Sequence, residues 1–232
     1  MNLLAFDTST ETLSVAVLRA GANAPLQSGA AGGPMASTTL IPAIQDLMAQ
    51  TSLALRELDA IVFGRGPGSF TGLRTACSVA QGLGFGAGVP VLGVDTLMAV
   101  AEDARERKGC ERVVAVLDAR MDEVYAAAYE FTSGRWHAIS AITLGAPEHV
   151  QAPEGWVLAG NALIIHAGRL PQSNQRFEAL PNAAALLRVA PALIAAGQAT
   201  DAAQAMPLYI RDKVAQTTQE RAAVRAAQLP QS

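Results

Sequence analysis

The sequence is poor in the residues on which several classes of protein depend. Its 232 residues include two cysteines and three histidines, and aromatic residues make up only 5% of the chain. Cys77 and Cys110 lie far apart, which favours reduced thiols over a disulfide framework. The histidines, at positions 137, 149 and 166, lack the paired spacing that zinc ligands show. Neither a disulfide-stabilised fold nor a metal centre is therefore expected.

Blocks of basic residues and long apolar runs are also missing. The net charge is −3, so tight binding of nucleic acid by this chain alone is not expected. No apolar run reaches the length that spans a bilayer. The amino terminus lacks the basic region of a signal peptide and meets an acid early, at Asp7. Since half of the residues are hydrophobic, we expect a soluble, cytoplasmic protein with a large core.

The hydrophobic pattern predicts two similar runs of secondary structure. The first run has strands near residues 3–6, 13–18, 26–30, 60–63 and 89–94 and helices over 39–51, 71–87 and 96–107. The second has strands near residues 113–117, 124–129, 136–143 and 156–159 and a helix over 183–195. Each run opens with an apolar strand that ends in an aspartate, Asp7 or Asp118, followed at similar spacing by Glu11 or Glu123.

This internal duplication predicts the fold class. Three strands followed by alternating helices and strands predict a mixed sheet with helices on both faces. Two such units side by side make an α/β protein of two lobes, the duplicated architecture of actin, Hsp70 and the sugar kinases, which resembles ribonuclease H. We expect a first lobe over residues 1–108 and a shorter second lobe over residues 109–232, with the boundary near Gly109.

The most informative segment is a glycine-rich loop, residues 64–74, between a predicted strand and a predicted helix. Four glycines and a proline impose a special backbone path. Ser69 or Thr71 can cap the following helix, whose free N–H groups can meet an anion or a partner's carboxylate. The loop lacks the lysine of a phosphate-binding P-loop and the glycine spacing of a dinucleotide site.

Two features leave alternatives open. Asp7 and Asp118 either hold Mg²⁺ across a cleft, as in kinases of this architecture, or cap tight turns. The helix after the loop has a small residue at every fourth position, which allows close approach of a neighbour. These residues are Gly72, Ala76, Ala80 and Gly84. That face packs either on the protein's own sheet or on another subunit.

Four segments together resemble the bacterial TsaB (YeaZ) family. They are residues 7–11 (DTSTE), 64–74 (GRGPGSFTGLR), 118–125 (DARMDEVY) and 207–211 (PLYIR). The matching motif residues are Asp7, Thr8, Ser9, Gly66, Gly68, Ser69, Phe70, Thr71, Arg74, Asp118, Arg120 and Arg211. The resemblance covers nearly the whole chain in order. One departure is Ala36, which stands where many members have a histidine before a serine.

The resemblance implies the actin-like fold and a role in making N6-threonylcarbamoyladenosine (t6A) in tRNA. It implies a non-catalytic scaffold that binds the catalytic paralogue TsaD and, with it, the P-loop ATPase TsaE. It implies tRNA contact only through the complex, a homodimer when isolated, and no membrane association. No cofactor is expected for this chain alone; ATP or ADP and a metal ion are expected in the complex. The implied partner interface comprises Leu40, Ile44, Leu47, Gly72, Leu73, Ala76 and Ala80.

Other functions remain as alternatives. An ATP-dependent phosphotransferase of the same superfamily would hold Mg²⁺-nucleotide between Asp7, the loop over residues 64–72 and Asp118. A peptidase is a third hypothesis, because relatives were once described as glycoproteases, although the sequence shows no triad or metal motif. Near the carboxyl terminus, Arg211, Lys213, Arg221 and Arg225 either contact tRNA phosphates or belong to a solvated tail.

Overall fold

A computed structural model of the protein describes residues 1–172 and 175–211. The first half contains β1 (Leu3–Asp7), β2 (Thr12–Leu18), β3 (Leu26–Ala31), α1 (Ala36–Thr51), β4 (Ala60–Gly66), α2 (Phe70–Ala87), β5 (Val91–Asp95) and α3 (Thr96–Lys108). The second contains β6 (Arg112–Asp118), β7 (Val124–Thr132), β8 (Arg135–Ala138), β9 (Thr143–Gly145), β10 (Val157–Ala159), α4 (Ala162–Ile165), β11 (Arg176–Phe177) and α5 (Ala183–Ala195).

The two halves repeat one sheet topology. The strand orders are β3-β2-β1-β4-β5 and β8-β7-β6-β10-β11, with β9 also paired to β7. In each sheet the central strand pairs antiparallel with the strand that follows it and parallel with the strand on its other side. This confirms the predicted α/β fold of two mixed sheets flanked by helices.

The second half differs from the prediction in two places. The strand predicted over residues 136–143 is divided into β8 and β9, which pair with opposite ends of β7. Between β9 and β10, where the first half has α1, the chain forms a single 3-10 turn at Pro147–His149. The outer face of the second sheet is therefore covered by short segments, which contribute Val150, Ala162 and Leu170 to its core.

The main core lies between the two sheets. Because side chains alternate along a strand, β1 directs Leu3 and Ala5 into this core and Leu4 and Phe6 towards α1 and α2. Helices α3 and α5 pack against each other in the middle, and each contacts strands of the opposite half. The two lobes consequently share one core.

The end of the described chain returns to the first sheet. Thr200 exchanges both backbone hydrogen bonds with Val91 of β5, at 2.9 and 2.8 Å. Ala202 and Ala205 are buried with the residues of α1 and α2. The carbonyl of Ala205 accepts hydrogen bonds from Cys77 and from Gln81 of α2. Residues that follow the second sheet in sequence thus complete the packing of the first.

A buried carboxylate ties the central helices together. Glu102 of α3, 1% exposed, accepts hydrogen bonds from Arg105, from Arg188 of α5 (2.8 Å) and from the indole of Trp136 in β8 (2.9 Å). Burial raises the pKa of this carboxyl, but the hydrogen bonds from Arg105, Trp136 and Arg188 and the charge of Arg105 together outweigh burial and leave the pKa below its usual value. These partners offset the cost of removing the charged carboxylate from water.

Among the described residues, none of the helices combines the length and apolar character that a bilayer crossing requires.

Candidate functional site

The four motif segments, distant in sequence, converge on one cavity between the lobes. The cavity has a volume of about 290 Å³. The β1–β2 turn and the start of α2 line it from the first lobe, and the β6–β7 hairpin and residues 208–211 line the other side. Its mixed polar and apolar walls identify it as the candidate functional site.

Asp7 does not line this cavity. Its side chain is buried at the end of β1, where one carboxylate oxygen accepts hydrogen bonds from the Ser9 amide (2.9 Å) and hydroxyl (2.6 Å). Burial raises the pKa of the Asp7 carboxyl, against the opposing hydrogen bonds from Ser9. A Cβ on Gly64 would lie 1.8 Å from the other carboxylate oxygen. Of the two alternatives for Asp7, the structure shows the capped turn, and the side chain does not face the cavity.

Asp118 lines the cavity but is engaged by its neighbours. One carboxylate oxygen lies 3.1 Å from Nε2 of the buried His166 and accepts a hydrogen bond from the Arg120 amide at 3.3 Å. The Asp118 amide donates to Oδ1 of Asn161 at 2.9 Å. Sequence reasoning missed the contact with His166, because 48 residues separate the two and no spacing rule connects them.

The β6–β7 hairpin has an unusual backbone. Arg120, Met121 and Asp122 all have positive φ, at 60°, 53° and 64°, a region that non-glycine residues rarely occupy. Two of these residues form ion pairs with other segments: Arg120 bonds Glu11 across the cleft, and Asp122 bonds Arg169. The partners of Arg120 and Asp122 lie 109 and 47 residues away in sequence.

Residues 208–211 fasten the two lobes together. The Leu208 amide donates to the Arg65 carbonyl at 2.6 Å. Tyr209 packs on Phe70, with ring centroids 5.3 Å apart, and Arg74 lies over Phe70 and donates to the Tyr209 hydroxyl at 3.0 Å. On the second lobe, Arg211 donates to the Ala119 carbonyl at 3.0 Å and pairs with Glu123 at 2.7 Å. The motif residues Phe70, Arg74 and Arg211 thus have structural partners.

The glycines of the loop over residues 64–74 allow close backbone contact with other segments. A Cβ on Gly66 would lie 2.6 Å from the Leu208 carbonyl, and one on Gly68 would lie 2.5 Å from the Ser9 carbonyl. Ser69 precedes the first residue of α2, but its side chain makes no capping hydrogen bond, and Thr71 lies inside the helix. The predicted side-chain cap is therefore wrong, and the Ser69 amide instead donates to the Ser9 carbonyl at 2.7 Å.

The small-residue face of α2 packs on the protein itself. A Cβ on Gly72 would lie 1.8 Å from the Thr8 carbonyl, and the Thr8 hydroxyl donates to the Gly72 carbonyl at 2.7 Å. A Cβ on Gly84 would contact the side chains of Val91 and Ala202. Of the two interpretations of this face, packing within the chain is the correct one.

The residues assigned to the partner interface need the same correction. The structure buries all of them in the chain's own core: Leu40, Ile44, Leu47, Gly72, Leu73, Ala76 and Ala80. Helical spacing identified the apolar face of each helix, and that face lies against the first sheet. Ala36, at the first position of α1, is buried as well. On the surface of this chain these residues are therefore not accessible to a second subunit.

Two further expectations concern metal binding and the tail. Within residues 1–172 and 175–211, no group of three or more histidine, cysteine, aspartate or glutamate side chains is arranged to hold a metal ion. Arg211 belongs to the site described above, whereas Lys213, Arg221 and Arg225 lie outside the described residues.

Comparisons with known proteins agree on a family. Residues 36–230 match the family described as TsaD, tRNA N6-adenosine threonylcarbamoyltransferase. The chain is 35% identical to the tRNA threonylcarbamoyladenosine biosynthesis protein TsaB of Escherichia coli over 93% of its own length and 96% of that protein. It is 45% identical to the protein of the same name from Haemophilus influenzae, over 54% of this chain and 52% of that one. It superimposes on YeaZ from Pseudomonas aeruginosa with a TM-score of 0.84 and 40% identity, covering 90% of this chain and 99% of that one.

Proposed function

We propose, since this chain belongs to the TsaB (YeaZ) family, that it takes part in making t6A in tRNA as a non-catalytic scaffold subunit. In this proposal it binds the catalytic paralogue TsaD in the cytoplasm and, with it, the ATPase TsaE. The matched family description names TsaD, whereas the relative that matches nearly the full length is TsaB. Descent from a common ancestor with TsaD accounts for both similarities.

The state of the two candidate acids supports a scaffold. Asp7 is enclosed by Ser9 and Gly64, and the Asp118 carboxylate is engaged by His166 and Arg120. Neither carboxylate therefore directs two unpaired oxygens into the cavity. The described residues do not fit a metal site, so we assign the metal ion of the complex to the TsaD subunit. ATP or ADP would be bound only in the assembled complex.

One observation carries the partner-binding part of the proposal, namely the outer surface of α2. Phe85 is 84% exposed on this surface. On the same surface, Gly82 and Gly86 border open space, since a Cβ added to either would meet no heavy atom within 4 Å. A shallow groove lined by Leu55, Leu83 and Ala87, among others, lies beside these glycines. An exposed aromatic side chain next to a low-relief apolar groove is typical of a protein interface.

We therefore place the TsaD contact, and the homodimer contact of the isolated chain, on the outer α2 surface (Gly82, Phe85 and Gly86). The F85D substitution should weaken the complex with purified TsaD about 100-fold or more, because an aromatic anchor at an interface contributes at least about 2–3 kcal/mol and a buried carboxylate adds a desolvation cost. The dissociation constant is measured by calorimetry, and the mass of the isolated chain by light scattering.

I139D is the matched control, because Ile139 is also an exposed apolar residue, 54% exposed, but belongs to the second lobe. It should leave TsaD binding unchanged, and both variants should keep the unfolding temperature of the wild type. Equal dissociation constants for F85D and wild type would remove the outer α2 surface from the interface. In cells depleted of the wild-type protein, the t6A content of tRNA should fall with F85D and recover with I139D.

ATP-dependent phosphotransfer is the second candidate, and the position of the cavity between two lobes favours it. It requires that Asp7 reach the nucleotide, whereas the side chain is 1% exposed and does not line the cavity. Calorimetry with ATP and Mg²⁺ on the isolated chain decides between the candidates. Micromolar binding with turnover would establish the phosphotransferase, and a flat titration supports the scaffold.

A further inference from the structure

Strand β3 forms an exposed edge of the first sheet. Among the described residues it pairs with β2 alone, and all six of its residues, Leu26–Ala31, are exposed. The strand contains no charged residue and no proline, and its register with β2 runs over six consecutive pairs without a bulge. Charge, proline and bulges are the devices with which natural proteins usually protect an edge from pairing with another chain. The edge of β3 is therefore open to an added strand.

The other sheet edges are protected, within the part of the chain that the structure describes. The edge of β5 is occupied at Val91, which exchanges two backbone hydrogen bonds with Thr200. Strand β11 has only two residues, and β8 has four, among them the exposed Arg135. Short edge strands and charged side chains both hinder the addition of a strand. The open edge of β3 is thus an exception within this molecule.

The register of β3 shows which of its backbone groups face outward. The Gly32 amide donates to the Glu11 carbonyl at 2.8 Å, so these two residues form a hydrogen-bonded pair next to the last pair of the β2–β3 ladder. Hydrogen-bonded and non-bonded pairs alternate along an antiparallel ladder. Every second residue of β3 therefore directs its N–H and C=O groups away from β2. These residues are Gln27, Gly29 and Ala31.

The side chains of β3 indicate what kind of strand fits beside it. Residues 28–31 are serine, glycine and alanine, and a Cβ on Gly29 would come no closer than 3.6 Å to another segment, at the Leu13 carbonyl. Small residues leave room for β-branched or aromatic side chains of a neighbouring strand, and such cross-strand pairs stabilise a sheet. A charged side chain there would lose water without gaining a partner on β3. An uncharged segment with bulky side chains therefore fits better than a second copy of β3.

We propose that the outer edge of β3 is a docking site for an extended, uncharged segment of a partner protein. The segment adds a sixth strand to the five-stranded first sheet, and its backbone pairs with the outward groups of Gln27, Gly29 and Ala31. Its bulky side chains lie beside the small residues of β3. Helix α1 packs on β2 and β3, whereas α2 packs mainly on β4. The edge is therefore separate from the outer α2 surface, and the proposal does not depend on the contact with TsaD.

The test is an amide NMR titration of the full-length chain with a short synthetic peptide in which threonine alternates with valine and tyrosine. The amides of Gln27, Gly29 and Ala31 should shift saturably, because each gains an acceptor. Those of Leu26 and Ser28, which face β2, should shift less. A peptide with glutamate in place of valine should bind at least about 10-fold more weakly. Equal affinity of the two peptides contradicts an uncharged partner.

G29P tests the edge itself. It removes one outward N–H group and places the proline ring in the path of the added strand, whereas the ladder between β3 and β2 does not use this group. It should weaken binding of the threonine–valine peptide about 10-fold or more and leave the protein folded. G29A is the matched control, because it keeps the N–H group and its Cβ has room, and it should bind like the wild type. Q27P repeats the test at a second outward position if G29P does not fold.

Three results would overturn the proposal. Two are the absence of saturable shifts in the wild type and equal affinity of G29P and wild type. The third is slow hydrogen exchange at Gln27, Gly29 and Ala31 without peptide. It would assign the edge to a second copy if the slowing increases with protein concentration, and to another segment of the same chain if it does not. F85D should retain peptide binding, which separates this test from that of the TsaD contact.

Discussion

Replacing Glu102 with alanine should lower the free energy of unfolding by about 3 kcal/mol. Glu102 is 1% exposed and accepts hydrogen bonds from Arg105, Arg188 and the Trp136 indole. Removing one partner of a buried charged network leaves the others unpaired, which costs about 3–5 kcal/mol. The lower value applies here, because the two arginines are about 30% exposed and water can solvate them in part.

E106A is the control for this effect. Glu106 is one turn further along α3 and approaches the same Arg188, at 3.8 Å, but its side chain is 53% exposed. An exposed pair of this kind contributes less than about 0.5 kcal/mol. Urea unfolding of both variants compares the two contributions directly. Similar losses for E102A and E106A would mean that the buried network does not stabilise the protein.

The effect of E102A should also depend on pH. The pKa of Glu102 is lower in the folded protein than in the unfolded chain, so the unfolded state binds more protons as the pH falls through the range between the two. The stabilisation by the charged network is complete above the unfolded pKa and is lost at lower pH. The difference in unfolding free energy between wild type and E102A should therefore be largest near neutral pH and should shrink below the ordinary range of a glutamate.

The second large effect is expected for G72A. A Cβ at this position would lie 1.8 Å from the carbonyl oxygen of Thr8. The atom it meets belongs to the backbone of the β1–β2 turn, so a rotation of a flexible side chain cannot relieve the overlap. Overpacking of this kind costs about 1–3 kcal/mol, and we expect a loss near the upper end, about 3 kcal/mol. The hydrogen bond from the Thr8 hydroxyl to the Gly72 carbonyl should be broken as well.

G82A makes the same chemical change in the same helix and should have the opposite sign. Gly82 is exposed on α2, and a Cβ there would meet no heavy atom within 4 Å. Alanine in an exposed helical position is favoured over glycine by about 0.5–1 kcal/mol. Thermal unfolding should therefore give a lower midpoint for G72A and a slightly higher midpoint for G82A. A neutral G72A would contradict the close packing of α2 on the turn.

The sequence predicted the elements that local patterns control. Helix α5 has the bounds that its apolar spacing predicts, Ala183–Ala195. The predicted start of α1, at residue 39, was three residues too late. The hydroxyls of Thr38 and Thr39 donate to the Met35 carbonyl, so these residues lie within the first turn of a helix that begins at Ala36.

Contacts between distant segments were harder to predict. The motif residues were identified, but sequence cannot show that they meet in one cavity or that Asp7 faces away from it. A face of small residues indicates close packing without indicating the neighbour, and for Gly72 that neighbour is Thr8. The exposure of Phe85 was not predicted. Phe85 is apolar like the buried residues of α2, and only its angle around the helix axis places it outside the buried face.

The late position of α5 in the sequence affects how this protein folds while the ribosome synthesises it. The inner face of β1, made first, stays uncovered until Ala183–Ala195 has left the exit tunnel, because that late segment packs across β1, β2 and β4. Folding of the opening sheet during synthesis must therefore wait for nearly the whole polypeptide. A nascent chain in this condition exposes apolar strands for most of its translation, so we expect it to depend on chaperones that bind at the tunnel exit.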